Sequence, residues 1–156
     1  MEVKEAIIHY CRYQERSQKE VRNKLYELGC HKEQVEELLT DMIESGLVNE
    51  ERYAEAIARG KFHVKHWGKI KIVHRLKAQN ISDYCIQQAL KQIDPDEYLA
   101  VLEKSAEHKW ASLKSERNIV ARKAKTLRFL QQRGFETGLI LETINKIAAT
   151  QKGRER

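Results

Sequence analysis

Part of this chain is written three times, and that constrains its fold more than any other feature. Lys71–Leu90 lies on Glu20–Leu39 at a shift of 51 residues, and on Lys125–Ile144 at a shift of 54, without a gap. Leu25, Leu76 and Leu130 then coincide, as do Val35, Ile86 and Ile140, and Leu39, Leu90 and Ile144. Apolar spacing alone is weak evidence, because any two amphipathic helices share it. A punctuation mark in register is stronger. Gly29, Asn80 and Gly134 fall together, each followed by an apolar residue: Cys30, Ile81 and Phe135. Gly and Asn adopt the left-handed conformation that ends a helix, and an apolar residue just beyond packs back on the last turn. The pattern therefore predicts three diverged copies of a helix–turn–helix unit.

Periodicity of about 3.6 residues runs through almost every segment and sustained alternation through none, so the class is all-α. One proline and seven glycines leave few helix breaks in 156 residues. The first helix is expected over Val3–Tyr13. Ser17-Gln18-Lys19-Glu20 forms a capping box for a second, which ends at Leu28 with Gly29 as its stop. A third carries Val35, Leu38, Leu39, Met42 and Ile43 and stops at Gly46. Asn49 caps a fourth, expected to reach about His66, and Trp67-Gly68 turns the chain into a fifth with Ile70, Ile72, Val73 and Leu76. A sixth follows Ser82. Asp94-Pro95-Asp96-Glu97 is the clearest start, with a capping carboxylate, a proline where its missing N–H costs nothing, and acids in the first turn. Two further helices span about Asn118–Gln132 and Glu136–Ala149, and a frayed tail is expected over 151–156.

Each helix pair offers only a strip of apolar side chains. Burying a Leu or Ile contributes about 1.5–3 kcal/mol, while ordering each residue costs about 1–2 kcal/mol of backbone entropy. A single copy is marginal and its neighbour stabilises it. An elongated helical array follows; a compact bundle is the alternative.

Charge is unevenly distributed. Residues 1–50 hold 7 basic and 11 acidic side chains, residues 51–100 hold 9 and 6, and residues 101–156 hold 13 and 6, so the net charge climbs from −4 through +3 to +7. Two tracts lack acids altogether. Ala56–Ser82 carries Arg59, Lys61, Lys65, Lys69, Lys71, Arg75 and Lys77; Arg117–Phe135 carries Arg117, Arg122, Lys123, Lys125, Arg128 and Arg133. Both contain the first helix of the repeated pair, so stacking would align them along one face. Cations spaced in this way suit a polyanion, a nucleic-acid backbone or an acidic filament; the bland alternative is a set of solvated helix faces. The first copy keeps Arg22 and Lys24 but interposes Glu20 and Glu27, so it is expected to face something else. Trp67 and Trp110 would either stack on bases or, as is commoner at helix junctions, wedge between helices.

No Gly-rich phosphate loop, HExxH, GxSxG or paired-carboxylate arrangement occurs, so neither an enzyme nor a cofactor is expected. His63 and His66 share a helix face, but with no carboxylate or Cys partner nearby in sequence they read as surface residues rather than as metal ligands. Cys11, Cys30 and Cys85 are odd in number and set in apolar patterns. They read as buried, reduced thiols of a cytoplasmic protein. No apolar run approaches the ~20 residues that span a bilayer, and the acid-bearing N-terminal stretch does not read as a signal peptide.

The stretch Leu47-Val48-Asn49-Glu50-Glu51-Arg52-Tyr53-Ala54, followed by Gly68, Ile72, Leu76 and Ile81, resembles the central signature of the RecX family, bacterial regulators of the RecA recombinase. Ser17–Val21 through Leu25 and Gly29 is similar to the family's first repeat. Lys125–Phe135, with Leu130 and Arg133-Gly134-Phe135, resembles its last. The match covers about Ala6–Ile147, and the order and spacing of the motifs are more specific than any one of them. It implies three tandem three-helix units, taken as 1–46, 47–93 and 94–150, in a curved and monomeric molecule. It implies binding in the groove of the RecA–DNA filament, with growth, strand exchange, ATP hydrolysis and coprotease function reduced. The basic residues named above, Arg59 to Lys77 and Arg122 to Arg133, would meet filament or DNA, single- or double-stranded. Departures sit in the third unit. Thr126 stands where Val21 and Ile72 stand, and Thr143 faces Leu38 and Ala89, for which a longer first helix of that unit is a reason.

A core role for the aligned leucines and a surface role for the cations predict different costs. Leu76→Ala should lose about 2–5 kcal/mol by opening a cavity. Each of Lys69→Glu, Lys71→Glu and Arg75→Glu should lose under about 1 kcal/mol. Urea melting curves compare them directly.

Overall fold

The computed structural model describes residues 2–154. Among the described residues there are nine α-helices and no strand: α1 (Val3–Tyr13), α2 (Gln18–Glu27), α3 (Lys32–Glu44), α4 (Glu50–His63), α5 (Lys69–Ala78), α6 (Asp83–Lys91), α7 (Pro95–Ser112), α8 (Ile119–Gln132) and α9 (Thr137–Arg154). They form three tandem three-helix repeats, α1–α3, α4–α6 and α7–α9. By contact the chain divides into two compact units. One takes the chain up to Arg59 together with Arg75–Gln92, and the other takes Gly60–His74 together with the chain from Ile93 onward. The middle repeat is thus shared, its α4 and α5 contributing to both.

Local sequence accounts for most helix starts. The Ser17 hydroxyl accepts from the Glu20 amide while the Glu20 carboxylate accepts from the Ser17 amide, the expected capping box. Asn49 Oδ1 accepts from Arg52 N (2.9 Å), Asp94 Oδ2 from Glu97 N (3.0 Å), and Asn118 Oδ1 from Val120 N (3.0 Å). The aligned stops share one geometry. Gly29, Asn80 and Gly134 have φ of 91°, 60° and 92°. At each, that residue's N–H bonds the carbonyl three back (Tyr26, Lys77, Gln131), and the next N–H bonds the carbonyl of Leu25, Leu76 or Leu130. These paired bonds make a Schellman turn. The three leucines are fully buried, and Cys30, Ile81 and Phe135 are buried beside them.

In the first unit, Ile7 and Cys11 of α1, Val21 and Leu25 of α2, and Val35, Leu38, Leu39 and Met42 of α3 make a continuous core, closed by Val48. In the second, Tyr98, Leu102, Ala106 and Trp110 of α7 are buried, as are Leu130, Phe135, Ile140 and Ile144. Cys11, Cys30 and Cys85 are buried and unpaired.

Two helix ends differ from expectation. α4 stops at His63 rather than near His66, because His66 takes a left-handed φ of 57° that leaves the helix. As expected, α7 is long, at 18 residues, and α8 follows its Asn118 cap, one turn earlier than the register with α5 would give. Thr126 and Thr143 are accommodated within their own helices, each hydroxyl donating one turn back, to Arg122 O (2.9 Å) and Leu139 O (2.8 Å). Finally, α9 runs on through Gln151 to Arg154, where a frayed end is expected from sequence. Gln151 is anchored by the Trp110 indole N–H (2.6 Å); Glu155 and Arg156 lie outside the described residues.

A side chain at Gly29 would meet no atom, whereas one at Gly134 would collide with Lys71 of α5. Gly29→Ala should therefore cost only the left-handed strain, about 1–2 kcal/mol. Gly134→Ala should cost about 1–3 kcal/mol more through overpacking. Chemical denaturation of the two variants tests the difference.

Candidate nucleic-acid interface

Two repeat junctions, one in each compact unit, involve the ends of the basic tracts. In the first unit the start of α2 meets the end of α5. Ser17 Oγ donates to Gln79 Oε1 (2.6 Å), and Lys19 Nζ donates to Ala78 O (2.8 Å). Tyr53 of α4 is buried against this start, with Glu20 and Ser17 beside its hydroxyl. In the second unit the start of α5 meets the turn between α8 and α9. Gly68 N donates to Arg133 O (2.7 Å) and Ile70 N to Gly134 O (2.9 Å). Between them Lys69 N donates to Tyr98 Oη (2.9 Å), and the Tyr98 hydroxyl donates to the Glu136 carboxylate. A Cβ on Gly68 would overlap the Gly134 carbonyl. The first turn of a helix has amides with no partner inside the helix; here the next repeat supplies the acceptors.

The junctions correspond. Ser17 and Gly68 share a register position, as do Gln79 and Arg133, and Tyr53 and Tyr98 each stand four residues after a capping Asn or Asp. Tyr53 falls in the Leu47–Ala54 stretch of the family resemblance, but neither tyrosine was given a junction role from sequence, although that spacing from Asn49 and Asp94 was there to be read. Burial first, then the nearby carboxylates (Glu20 at Tyr53, Glu136 at Tyr98), hold both phenols above their ordinary pKa.

Around the second junction, cations gather on aromatic rings. Lys61 Nζ lies 5.0 Å and Lys71 Nζ 4.4 Å from the centroid of Trp67, which is partly exposed. Lys69 Nζ lies 4.8 Å from the Tyr98 ring. Arg133 donates from Nη1 to Lys65 O (3.1 Å) and sets its guanidinium 4.9 Å from the centroid of Phe129. Lys109, outside the acid-free tracts, approaches the same ring at 5.0 Å. Beside Phe129 is an open recess of about 330 Å³ lined also by Lys109, Leu113, Lys125, Arg128 and Gln132.

The remaining cations separate by environment. Lys65 and Arg128 are exposed and Lys123 is half-buried, all in the second unit; Arg59, Arg75 and Lys77 are exposed in the first. Lys125 is paired with Glu116 at 2.7 Å, so its register mate Lys71 has a different role. Arg122 corrects the expectation of a surface cation. It is buried, donating from Nε (3.1 Å) and Nη2 (2.7 Å) to the carbonyl of Trp110 near the end of α7, with its guanidinium 4.1 Å from the indole centroid. Its register mates Ser17 and Gly68 are buried as well, so this position faces inward in each repeat. Trp110 is buried and serves packing. In the first repeat Arg22 is bonded to Glu36 (2.9 Å), which holds that carboxyl below its ordinary pKa, and Lys24 is paired with Glu27 (3.4 Å).

His63 does gain a carboxylate, Glu97, at 3.3 Å from Nδ1. Among the described residues no three His, Cys, Asp or Glu side chains converge to hold a metal, and no helix is long and apolar enough to cross a membrane.

Family models match all three repeats: the RecX first three-helix domain over residues 4–42, the second over 49–90 and the third over 96–144. The chain belongs to the RecX family. It is 30% identical over 120 residues to the regulatory protein RecX of Pelodictyon phaeoclathratiforme, covering 77% of this chain and 72% of that one. It is 30% identical over 131 residues to that of Chlorobium limicola, covering 84% and 80%. The crystal structure of RecX from Lactobacillus salivarius superposes with a TM-score of 0.81 at 25% identity, over 94% of this chain and 95% of that one. RecX-family proteins are named as regulatory proteins, so a regulatory role comes with membership.

The raised phenols give the junctions a pH dependence. The unfolded tyrosines ionise near pH 10, whereas the folded ones keep their protons to higher pH. Stability from these groups is therefore complete below about pH 10 and declines as pH rises past it. Urea midpoints at pH 8 and pH 11 should fall further for the parent chain than for Tyr53→Phe/Tyr98→Phe, which starts less stable but loses less.

Proposed function

We propose that this chain is a non-catalytic regulator that binds the RecA–DNA filament and lowers recombinase, ATPase and coprotease activity in the cytoplasm. The observation that carries the reading is a RecX-family chain whose acid-free tracts set Lys61 and Lys71 near Trp67 and Arg133 near Phe129, two partly exposed rings. Such a surface attracts a polyanion through the summed field of its charges and displaces counterions on contact. The exposed Arg59, Lys65 and Arg128 make the long-range contribution; Lys69, Lys71 and Arg133, close to rings, act at short range. Arg122 is excluded from the contact set because its guanidinium is committed to Trp110.

Stand-alone DNA binding is the second reading, favoured by the same cations. Binding to naked DNA would then fall with salt at a slope of about −0.9 per phosphate contact, without any effect on the recombinase.

Sub-stoichiometric purified chain should slow the DNA-dependent ATPase of RecA. Arg59→Glu/Lys65→Glu/Arg128→Glu should weaken that inhibition at least about tenfold while shifting stability by under about 1 kcal/mol per site. A parent chain without effect at equimolar protein, or a variant that inhibits as well as the parent, would sink the proposal.

A further inference from the structure

We infer that Trp67 and Phe129 are stacking platforms for unpaired nucleobases, so that the second compact unit takes single-stranded nucleic acid in preference to duplex. The inference rests on the nucleic-acid reading above and specifies which form of the polymer the surface fits.

Both rings are only partly buried, unlike Trp110 and Phe62, which are sealed in the core. Each is flanked by two cations, Trp67 by Lys61 and Lys71 and Phe129 by Lys109 and Arg133. The two rings are physically joined. Arg133 reaches from the Phe129 ring to the backbone of Lys65, two residues before Trp67. Part of each ring remains open to solvent, whereas Phe62, Phe135 and Trp110 fill the core.

Surface charge by itself does not distinguish one strand from two, because both carry phosphates. Flat aromatic faces do. A duplex keeps its bases stacked on each other, whereas a single strand can lay a base on a protein ring while its phosphates meet neighbouring cations. Lysine amines resting on exposed rings hold them weakly and on flexible stems. An arriving base displaces the amine from the ring face, and the amine moves to the adjacent phosphate. The recess of about 330 Å³ beside Phe129 gives one nucleotide room, with Arg128 exposed at its edge. Base–aromatic stacking tolerates any sequence, so the site reads strandedness rather than sequence.

The test uses the full chain and fluorescence-labelled oligothymidylate, against a duplex of equal length at the same salt. The parent should prefer the single strand, and Trp67 emission should be quenched on binding; Trp67→Phe identifies that signal, because Trp110 is buried. Trp67→Leu and Phe129→Leu should each lose roughly 5- to 100-fold in single-strand affinity, with duplex affinity within about twofold and the salt slope unchanged. Trp67→Phe, which keeps a ring, should retain most of the single-strand affinity. Leucine variants that bind single strand as tightly as the parent, or that lose both forms equally with melting curves intact, overturn the assignment. A parent that binds no naked strand overturns it too, while leaving the ATPase test of the filament reading to stand on its own result. If Trp67→Leu melts early, Phe129→Leu and the quenching of the parent decide.

Discussion

The first amides of α5 find their acceptors outside their own repeat. Gly68, Lys69 and Ile70 present N–H groups that no helical carbonyl can reach, and the third repeat answers with two backbone carbonyls and a tyrosine hydroxyl. A helix start buried without partners is costly, and so is a tyrosine hydroxyl or a carboxylate without one. One cluster satisfies all of these, because Tyr98 both receives from Lys69 N and donates to Glu136. The absence of a side chain at Gly68 is what lets the two backbones approach. In the first unit the same task is met with side chains: Ser17 caps its own helix and extends the contact to Gln79.

That constraint explains where the chain tolerates divergence. Position 17 is Ser with a hydroxyl to share, position 68 must be Gly, and position 122 is Arg, buried like its register mates and bonded to the end of α7. The three copies therefore agree in the leucine, the left-handed stop and the apolar residue after it, and differ in what they do with the start of the second helix. Thr126 and Thr143 belong to the same drift. A buried threonine that bonds one turn back in its own helix asks nothing of its neighbours.

The proposed function draws on the cations near the second junction. Lys61, Lys69 and Lys71 surround the second junction and rest on Trp67 and Tyr98, whereas the corresponding part of the first repeat is neutralised by Glu36 and Glu27. The proposed regulatory reading uses a contrast in charge between repeats: 7 basic and 11 acidic side chains over residues 1–50, against 13 and 6 over residues 101–156.

The repeat, the all-α class, eight of the nine helix starts to within about a residue, and the three helix stops are legible in the residues themselves. Periodicity and caps act over one or two turns, and left-handed Gly and Asn report their backbone conformation directly. The last turn of α9 and the end of α4 were not legible, because Gln151 is held by Trp110 and His66 leaves the helix without being Gly or Asn. The fate of each cation was also beyond the sequence. Whether an arginine is exposed like Arg128, stacked like Arg133 or buried like Arg122 depends on which helix face a partner covers, and that partner lies tens of residues away. Charge tracts are local and can be counted; desolvation and pairing are properties of the packed molecule, and only the tertiary structure assigns them.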